Sequence, residues 1–393
     1  MFYQLLDSKK ECKAICVNNQ ILEKDFPDLV ATWDYSLNFD IPGVEYARLY
    51  CNGMSIDEAC PEKLKSIWLA SKNRIKAFLV SFSESKVLLS DNCIYDMIPE
   101  KYIIEHFMIK NEITEHVIKN YEKPKNYDFL LNLQRLATSI ENKKLNLDLS
   151  VLDKSLGDYK YRRFRSVAKK NNTVSYNIFG TKTGRLTTTK NSFPILTLNK
   201  EFREVLKPKN DYFVELDFNA AELRTLLALS GHDQPKEDIH EWNAENVYRG
   251  LLTREEAKKR LFAWLYNPKS KDYLSSKAYK RNEVVEKYWD GAHVNTCFGR
   301  TIESDDHHAL NYIIQSTTSD LFLRQAIKLW LMLRGKKSKI AFCIHDSLVI
   351  DYASEDKDML ADIVKVFSDT DLGKYKINVK YGKDFKNMFF VKK

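Results

Sequence analysis

Two aspartates that end apolar, strand-like runs are the first candidates for chemistry in this sequence. Asp217 lies in YFVELDFNAAELR and Asp346 in IAFCIHDSLVID. An apolar run that ends on a carboxylate indicates a strand whose last residue lies at the margin of a sheet, where it can meet a metal or a substrate. Taken singly, each motif is also ordinary turn chemistry, since Asp is common before helices and in hairpin turns. Together, the two runs suggest one metal site on one sheet.

The residues around the second aspartate predict how it is held. Residues 340–344 and 347–351 are two apolar runs separated only by His345 and Asp346. This spacing is typical of a hairpin with a two-residue connection. It places Asp346 at the tip of the hairpin.

A helix is predicted directly after the first aspartate. Asn219 can cap the segment NAAELRTLLALSG at its beginning and Gly231 can end it. Asp217 then lies just before this helix, and Glu222 falls in its first turn.

A third pattern could bind phosphates. Arg254, Lys258, Phe262 and Tyr266 follow at intervals of four in TREEAKKRLFAWLYNP, after Thr253, which can cap a helix. A step of four advances about 400° around an α-helix, so these side chains stay on one side of it. Phosphates could lie against the cations while a base stacks on the rings, as a nucleoside triphosphate requires. The alternative is an amphipathic helix with a solvated basic end.

Composition narrows the class of protein. The chain has 393 residues, 44% of them hydrophobic, which is enough for two or three packed regions. Its formal net charge of +8 favours polyanionic partners. Seven scattered cysteines without a C-x-x-C pair indicate reduced thiols and make a zinc site unexpected. Because neither a signal peptide nor a long apolar run is present, we expect a soluble, cytoplasmic protein without membrane contact.

A basic segment precedes the first aspartate. YKYRRFRSVAKK, residues 159–170, interleaves six basic residues with aromatic ones. Such a segment suits a nucleic-acid backbone, and a solvated helix face has a similar composition. The sequence leaves both interpretations open.

Apolar periodicity predicts the coarse organisation of the chain. Residues 77–82 and 86–89 are predicted as strands, 61–70 and 101–155 as mainly helical, 174–180 as a strand, 234–335 as mainly helical, and 376–393 as an edge strand with a basic tail. One sheet would therefore receive strands from both sides of a helical insertion.

Six motifs in order resemble family A DNA polymerases of the bacterial polymerase I type. They are TKTGRLTTT, DFNAAELR, DIHEWNAENVY, RxxxKxxxFxxxY, NYIIQSTTSDL and IHDS, and the closing YGKDF also fits. The likeness runs from about Tyr176 to the C-terminal end. It implies an α+β right-hand polymerase fold with an antiparallel palm sheet, a helical thumb, shortened helical fingers and a small N-terminal α/β region.

The resemblance implies a two-metal nucleotidyl transfer. Asp217 and Asp346 would hold two Mg²⁺ ions with the carbonyl of Phe218, and Mn²⁺ could substitute for Mg²⁺. The primer 3′-hydroxyl would attack the α-phosphorus of a dNTP. Lys258 would stabilise or protonate the leaving pyrophosphate.

The resemblance also implies two groups of binding residues. The dNTP would contact Arg254, Lys258, Phe262, Tyr266, Glu222 and His240. Among these, Glu222 would exclude a ribose 2′-hydroxyl and Tyr266 would lie at the templating position. The DNA primer-template would contact Arg185, Asn311, Gln315 and His345.

The implied domains are an N-terminal region (1–100), thumb (101–175), first palm part (176–233), fingers (234–300) and second palm part (301–393). The proofreading domain that often precedes this fold needs an Asp-x-Glu triplet, which is absent from residues 1–150. No intrinsic 3′-5′ exonuclease is therefore expected. Residues 1–100 could be a relic of that domain or a docking module for a replisome, processivity or separate exonuclease partner.

Four positions depart from the family pattern. Asn267 and Ala263 replace glycines near the end of the helical motif, and His307 stands where arginine is usual. Ser347 replaces the third carboxylate that usually follows His-Asp. We expect activity to survive this last change, and the compact length suggests a phage or similar replicon, which would place the protein in the host cytoplasm.

Two rival functions follow from the same residues. Single-subunit RNA polymerases share this palm and commonly carry His-Asp-Ser, as here, but they lack a bulky acid at the position of Glu222 and an aromatic at that of Phe262. A catalytically inactive primer-template binding protein is the other rival. The presence of both aspartates, the lysine and the aromatic residues favours the enzyme.

Overall fold

The computed structural model describes residues 1–6, 14–87, 92–155, 157–267 and 270–391, apart from the side chains of residues 154, 155 and 266. The chain divides into two units, Met1–Thr138 and Ser139–Lys393. The first unit therefore includes part of the range 101–175 that the sequence assigned to a thumb.

The first unit combines short strands with long helices. Its elements are β1 (Gln4–Leu5), β2 (Ile15–Val17), β3 (Gln20–Leu22), β4 (Ala31–Thr32), β5 (Glu45–Tyr46), α1 (Ala47–Tyr50), α2 (Ile56–Ala59), α3 (Glu62–Glu84), α4 (Ile94–Met97), α5 (Glu100–Asn120) and α6 (Tyr127–Glu141), the last of which continues into the second unit. Strands β1, β2 and β3 form an antiparallel sheet, and α3 packs on α5.

One strand prediction in this unit is wrong. Residues 77–82 lie inside α3, which continues to Glu84. Their apolar residues include Phe78 and Phe82, which pack against the core around Ile98 and Ile103. An apolar stretch of a long amphipathic helix was thus mistaken for a strand. The other predicted strand, 86–89, lies partly outside the described residues.

The second unit contains the elements that carry the sequence motifs. They are β6 (Asn146–Leu147), α7 (Tyr159–Lys170), β7 (Tyr176–Asn177), β8 (Thr187–Thr188), β9 (Leu206–Lys207), β10 (Tyr212–Phe218), α8 (Ala221–Leu229), α9 (Ile239–Trp242), α10 (Arg254–Tyr266), α11 (Tyr273–Tyr279), α12 (Arg281–Tyr288), β11 (His293–Asn295), β12 (Thr301–Glu303), α13 (Asp306–Met332), β13 (Lys339–Ile344), β14 (Ser347–Tyr352), α14 (Leu360–Ser368), β15 (Asp369–Thr370), β16 (Gly373–Lys374), β17 (Ile377–Gly382) and β18 (Phe389–Phe390).

A five-stranded antiparallel sheet in the order β13-β14-β10-β17-β18 is the centre of this unit. Strand β10 thus lies between the hairpin β13–β14 and β17. The prediction of β17 as an edge strand is wrong, because β18 pairs with it and takes the edge. Strand β10 is buried on both faces of the sheet, since the adjacent residues Phe213 and Val214, which point to opposite sides, are each only 3% exposed.

The helices of the second unit cover the sheet and build a separate apolar core. Helix α14 packs on β10 and β17, with Phe218 stacked on Phe367 at 4.5 Å between ring centroids. A second core gathers residues from α8 to α13, including the fully buried Leu227, Leu261 and Trp264. Among the described residues, no helix combines the length and the apolar character that crossing a membrane requires.

Candidate active site

Strand pairing brings the two aspartates together. Asp217, near the end of β10, is the cross-strand partner of Ser347, the first residue of β14. Asp346 precedes Ser347 in the two-residue connection between β13 and β14. His345 adopts the left-handed conformation there, with φ of 54°, as tight hairpin connections require. The predicted hairpin is confirmed, with Asp346 at its tip.

The electrostatics of Asp217 reflect this proximity. Its pKa is raised to about 6, first because burial removes water from the carboxylate and further because Asp346 and Glu215 repel its charge. A hydrogen bond from Asn378 Nδ2 to Asp217 Oδ2, at 3.3 Å, and the charge of Lys380 oppose the increase. The site therefore holds more negative charge than its own cations neutralise.

These residues fit a divalent cation. Within the described ranges, no group of three or more His, Cys, Asp and Glu side chains is placed to hold a metal ion. Two carboxylates with surplus negative charge, next to the backbone of Phe218, nevertheless supply the oxygen donors that Mg²⁺ prefers. Such a site would take its remaining ligands from substrate and water, as Mg²⁺ sites on phosphate substrates commonly do.

The helix after Asp217 begins differently from the prediction. Ala220, in the left-handed conformation, precedes α8, and no side chain caps its first turn. Asn219 instead donates from Nδ2 to Asp238 Oδ2 at 2.9 Å, and its Oδ1 accepts from the backbone N–H of Ile239 at 3.2 Å. A contact with a distant loop has therefore replaced the local cap. The predicted end at Gly231 agrees with its positive φ of 80°, just after α8.

Asp238 is a residue that sequence reasoning missed. Its carboxylate accepts from the backbone N–H groups of His240 and Glu241, capping α9. The same carboxylate binds Arg254 through two hydrogen bonds, from Nε and Nη2, each at 3.1 Å. These donors hold the pKa of Asp238 well below its usual range, although burial opposes the decrease. Asp238 thereby links Asn219, two residues after Asp217, to the first residue of α10.

The predicted phosphate-binding helix forms as expected. Thr253 and Glu256 make a reciprocal capping box at the beginning of α10, which confirms the predicted cap. Lys258 is half-buried and has no ion-pair partner among the described residues. Arg254 is already paired, with Asp238 and, at 2.5 Å, with Glu255. Lys258 is therefore the more available of the two cations.

His240 and Phe262 lie beside these cations. The two rings are 6.0 Å apart between centroids, and His240 is buried. Burial lowers the pKa of His240, the charge of Asp238 opposes this decrease, and the nearby charges of Lys258 and Arg254 add to it. Its Nδ1 has no hydrogen-bond partner within the described part of the chain. Tyr266 ends α10, and its side chain lies outside the described atoms.

Glu222 and Arg185 form an ion pair. Arg185 Nη2 donates to Glu222 Oε1 at 2.5 Å, and the side chain of Glu222 is 18% exposed. The sequence assigned these residues to different ligands, one to the sugar and one to the DNA. The pairing shows that they are neighbours.

The other predicted DNA contacts divide between two cavities. A cavity of about 210 Å³ is lined by Arg185, His345 and Asp346, among others. A second cavity, of about 670 Å³, lies between α10, α12 and α13 and is lined by Asn311. Gln315 donates to Asn311 along α13 at 2.8 Å.

The fold built from these elements is shared by a polymerase domain of known structure. That protein is the POL domain of Pol1 from M. smegmatis, in complex with DNA primer-template and dNTP. The likeness has a TM-score of 0.63 at 12% sequence identity and covers 91% of this chain and 86% of the other. No family model and no curated protein matches the chain. The predicted mixture of helices and strands is thus confirmed, in a fold that resembles that of a polymerase domain.

Proposed function

We propose that the protein is a template-directed, primer-dependent DNA polymerase of family A that adds dNTPs to a primer 3′-hydroxyl. The observation that carries the proposal is the pairing of β10 with β14, which brings Asp217 next to the hairpin tip at Asp346. The fold shared with a polymerase domain that binds primer-template and dNTP supports it. So does the cation-bearing helix α10, tied to β10 through Asp238 and Asn219.

In this proposal, the chain's own residues position the reactants. Two Mg²⁺ ions, held by Asp217, Asp346 and the carbonyl of Phe218, would supply the charge that lowers the barrier to phosphoryl transfer. Lys258 faces the triphosphate and stabilises or protonates the leaving pyrophosphate. Arg254 holds the triphosphate and shares its guanidinium with Asp238. The primer 3′-oxygen forms a bond to the α-phosphorus as the bond to the pyrophosphate oxygen breaks.

The base, the sugar and the DNA are assigned to the remaining residues. Phe262 packs on the incoming nucleotide, Tyr266 lies at the templating position and His240 contacts the β-phosphate. Glu222, held by Arg185, lies beneath the sugar. Arg185, Asn311, Gln315 and His345 contact primer-template. In domain terms, residues 176–233 and 301–393, which contain the five-stranded sheet, α13 and α14, would form the palm, and residues 234–300 the fingers.

Extension of a labelled primer on a DNA template, with dNTPs or rNTPs in separate reactions, tests the proposal. We expect extension with dNTPs and Mg²⁺, and little with rNTPs. Preference for rNTPs would favour the RNA polymerase alternative, which His345-Asp346-Ser347 suggests. Binding of primer-template without any extension would instead identify an inactive binding protein. A primer with a mismatched 3′ end, included in the same assay, reports whether excision occurs.

Helix α7 supplies a prediction about DNA binding. The helix is held to the unit by Phe164, which stacks on Phe202 with centroids 4.3 Å apart. Arg163 and Lys170 are exposed and are not ion-paired with any residue the structure describes. Positions seven apart lie on one helix face. These two cations are therefore available for phosphates.

We expect Arg163→Gln/Lys170→Gln to weaken primer-template binding by about tenfold at moderate salt and to reduce the salt dependence, because fewer phosphates would be neutralised. Binding isotherms at several salt concentrations measure both effects. The matched control is Lys160→Gln/Arg165→Gln, which removes the same charge from two residues already paired with Glu201 and Asp153. Equal losses in both double variants would mean that net charge alone matters, and no loss in either would mean that α7 has only a solvated basic face.

A further inference from the structure

A second acid lies on the face of β10 that carries Asp217. Glu215 is two residues before Asp217, and alternate residues of a strand point to the same side of the sheet. Glu215 is only 8% exposed. A carboxylate that is almost fully buried in the middle of a sheet requires an explanation, because burying a charge is costly unless it is paired.

Both carboxylate oxygens of Glu215 are bound by the neighbouring strands. Ser347 Oγ donates to Glu215 Oε1 at 3.0 Å, and Lys380 Nζ donates to Oε2 at 2.9 Å. Lys380 of β17 is directly opposite Glu215, whereas Ser347 of β14 is opposite Asp217. Glu215 therefore connects strand β10, which carries Asp217, with the β13–β14 hairpin, which carries Asp346.

The partner on the hairpin is the residue that departs from the family pattern. Ser347 stands where the resemblance expects a third carboxylate, and its hydroxyl points to a carboxylate on the adjacent strand. The site thus has three acids, Glu215, Asp217 and Asp346, with Lys380 as the cation bound to one of them. The third acid of the pattern is absent from β14 and a third acid is present on β10.

We propose that Glu215, on the central strand β10, takes the place of the carboxylate missing from the hairpin strand β14 and supports the metal site without being a third metal ligand. It is a positioning residue: it holds Ser347, and with it the hairpin tip at Asp346, in place beside Asp217. Its charge also increases the affinity of the two aspartates for divalent cations. This inference rests on the proposed function, since it concerns the same site.

A purely structural ion pair is the competing explanation, and the sign of the charge effect separates the two. Glu215→Gln retains a carbonyl oxygen that can accept from Ser347 but removes one negative charge near the site. Lys380→Met removes one positive charge instead. If Glu215 acts on the metal, the two variants change divalent affinity in opposite directions. If the ion pair between Glu215 and Lys380 only stabilises the sheet, both variants lower the melting temperature. They then do not change the affinity for divalent cations in opposite directions.

Titration of the full chain with Mn²⁺, followed by electron paramagnetic resonance without DNA or dNTP, measures this affinity. We expect Glu215→Gln to weaken binding about fivefold to tenfold and Lys380→Met to strengthen it several-fold. The matched control is Lys386→Met, which breaks a different ion pair, with Glu204, and should leave binding unchanged. Unchanged affinity in both site variants, or a change of the same sign, would overturn the inference.

Returning the acid to β14 provides a second test. In Glu215→Ser/Ser347→Glu, the hydroxyl and the carboxylate exchange strands. We expect this double variant to bind Mn²⁺ within about threefold of the original protein, and Ser347→Ala alone to shift the Mg²⁺ concentration needed for half-maximal extension upward. If Glu215→Gln does not fold, Mn²⁺ binding by Lys380→Met and by the exchange variant tests the inference instead. Weak Mn²⁺ binding by both variants would contradict the role proposed for Glu215. Failure of the original protein to extend a primer would contradict the proposed function instead.

Discussion

Primer extension by Asp217→Asn is expected to fall by at least about 10³-fold, with primer-template binding retained within a few-fold. The reason is that Asp217 and Asp346 are the two carboxylates brought together by β10 and the hairpin. If they hold the metal, loss of one of them removes several kcal/mol of transition-state stabilisation from the phosphoryl transfer. Binding depends instead on cations that contact phosphates. Single-turnover extension and a binding isotherm measure the two properties separately.

The same variant should make the metal-free protein more stable. The pKa of Asp217 is raised to about 6 in the folded chain, from 3.8. A carboxyl group whose pKa is raised by folding costs no stability at pH values below its pKa in the unfolded chain, because it is protonated in both states. The cost develops as pH rises from about 4 to about 6 and is complete above that range. Removing the charge should therefore stabilise the fold at pH 8 by on the order of 2 kcal/mol, with no gain at pH 3.

Asp351→Asn is the matched control, because Asp351 lies on β14 at the other end of its pairing with β10, opposite Phe213. Its carboxylate accepts backbone N–H groups of Lys209 and Asn210. We expect this variant to keep its extension activity. Persistent extension by Asp217→Asn, or loss of binding together with extension, would refute the assignment of Asp217 to the metal.

Replacing Glu222 by Ala is expected to relax the choice of sugar. Glu222 is held by Arg185 at 2.5 Å and is 18% exposed, so its position in the first turn of α8 is constrained. If it lies beneath C2′ of the incoming nucleotide, its removal makes room for a ribose hydroxyl. Steric discrimination by one contact is worth about 1–3 kcal/mol. We expect the ratio of rNTP to dNTP incorporation to rise by about 10- to 100-fold.

Arg185→Met provides a graded comparison for the same experiment. It removes the ion pair between Arg185 and Glu222 but leaves Glu222 in place, so we expect a smaller rise in rNTP use together with weaker primer binding. Glu245→Ala, at an exposed glutamate in the π-helical turn Asn243–Val247, is the control and should leave the ratio unchanged. An unaltered ratio in Glu222→Ala, with normal dNTP extension, would show that another residue selects the sugar.

The features that the sequence predicted correctly depend on short-range patterns. The β13–β14 hairpin follows from two apolar runs around His345 and Asp346, and the beginning of α10 follows from Thr253 as its cap. Propensity and capping act over a few residues, so the sequence displays them directly. The same holds for the position of Asp217 near the end of β10.

The features that the sequence did not predict depend on distant partners. Asn219 was expected to cap α8, but it binds Asp238, 19 residues away. Glu215 was not predicted as a site residue, because its partners Ser347 and Lys380 are 132 and 165 residues away in the sequence. Whether a polar side chain binds a local or a tertiary partner depends on distances that exist only in the folded chain. Such contacts decide the electrostatics of the site, while local patterns decide its location.

The contacts at the two ends of α10 have a mechanical consequence. At its beginning, Arg254 is tied to Asp238, and at its end Arg281 donates to the carbonyl oxygens of Trp264 at 2.9 Å and Asn267 at 3.2 Å. Because α10 is about 20 Å long and its end is bound to Arg281 of α12, any rotation of α10 about its Asp238 end would also displace α12. A rotation of about 10° would carry the Asn267 end through about 3 Å while Arg254 stays close to Asp238.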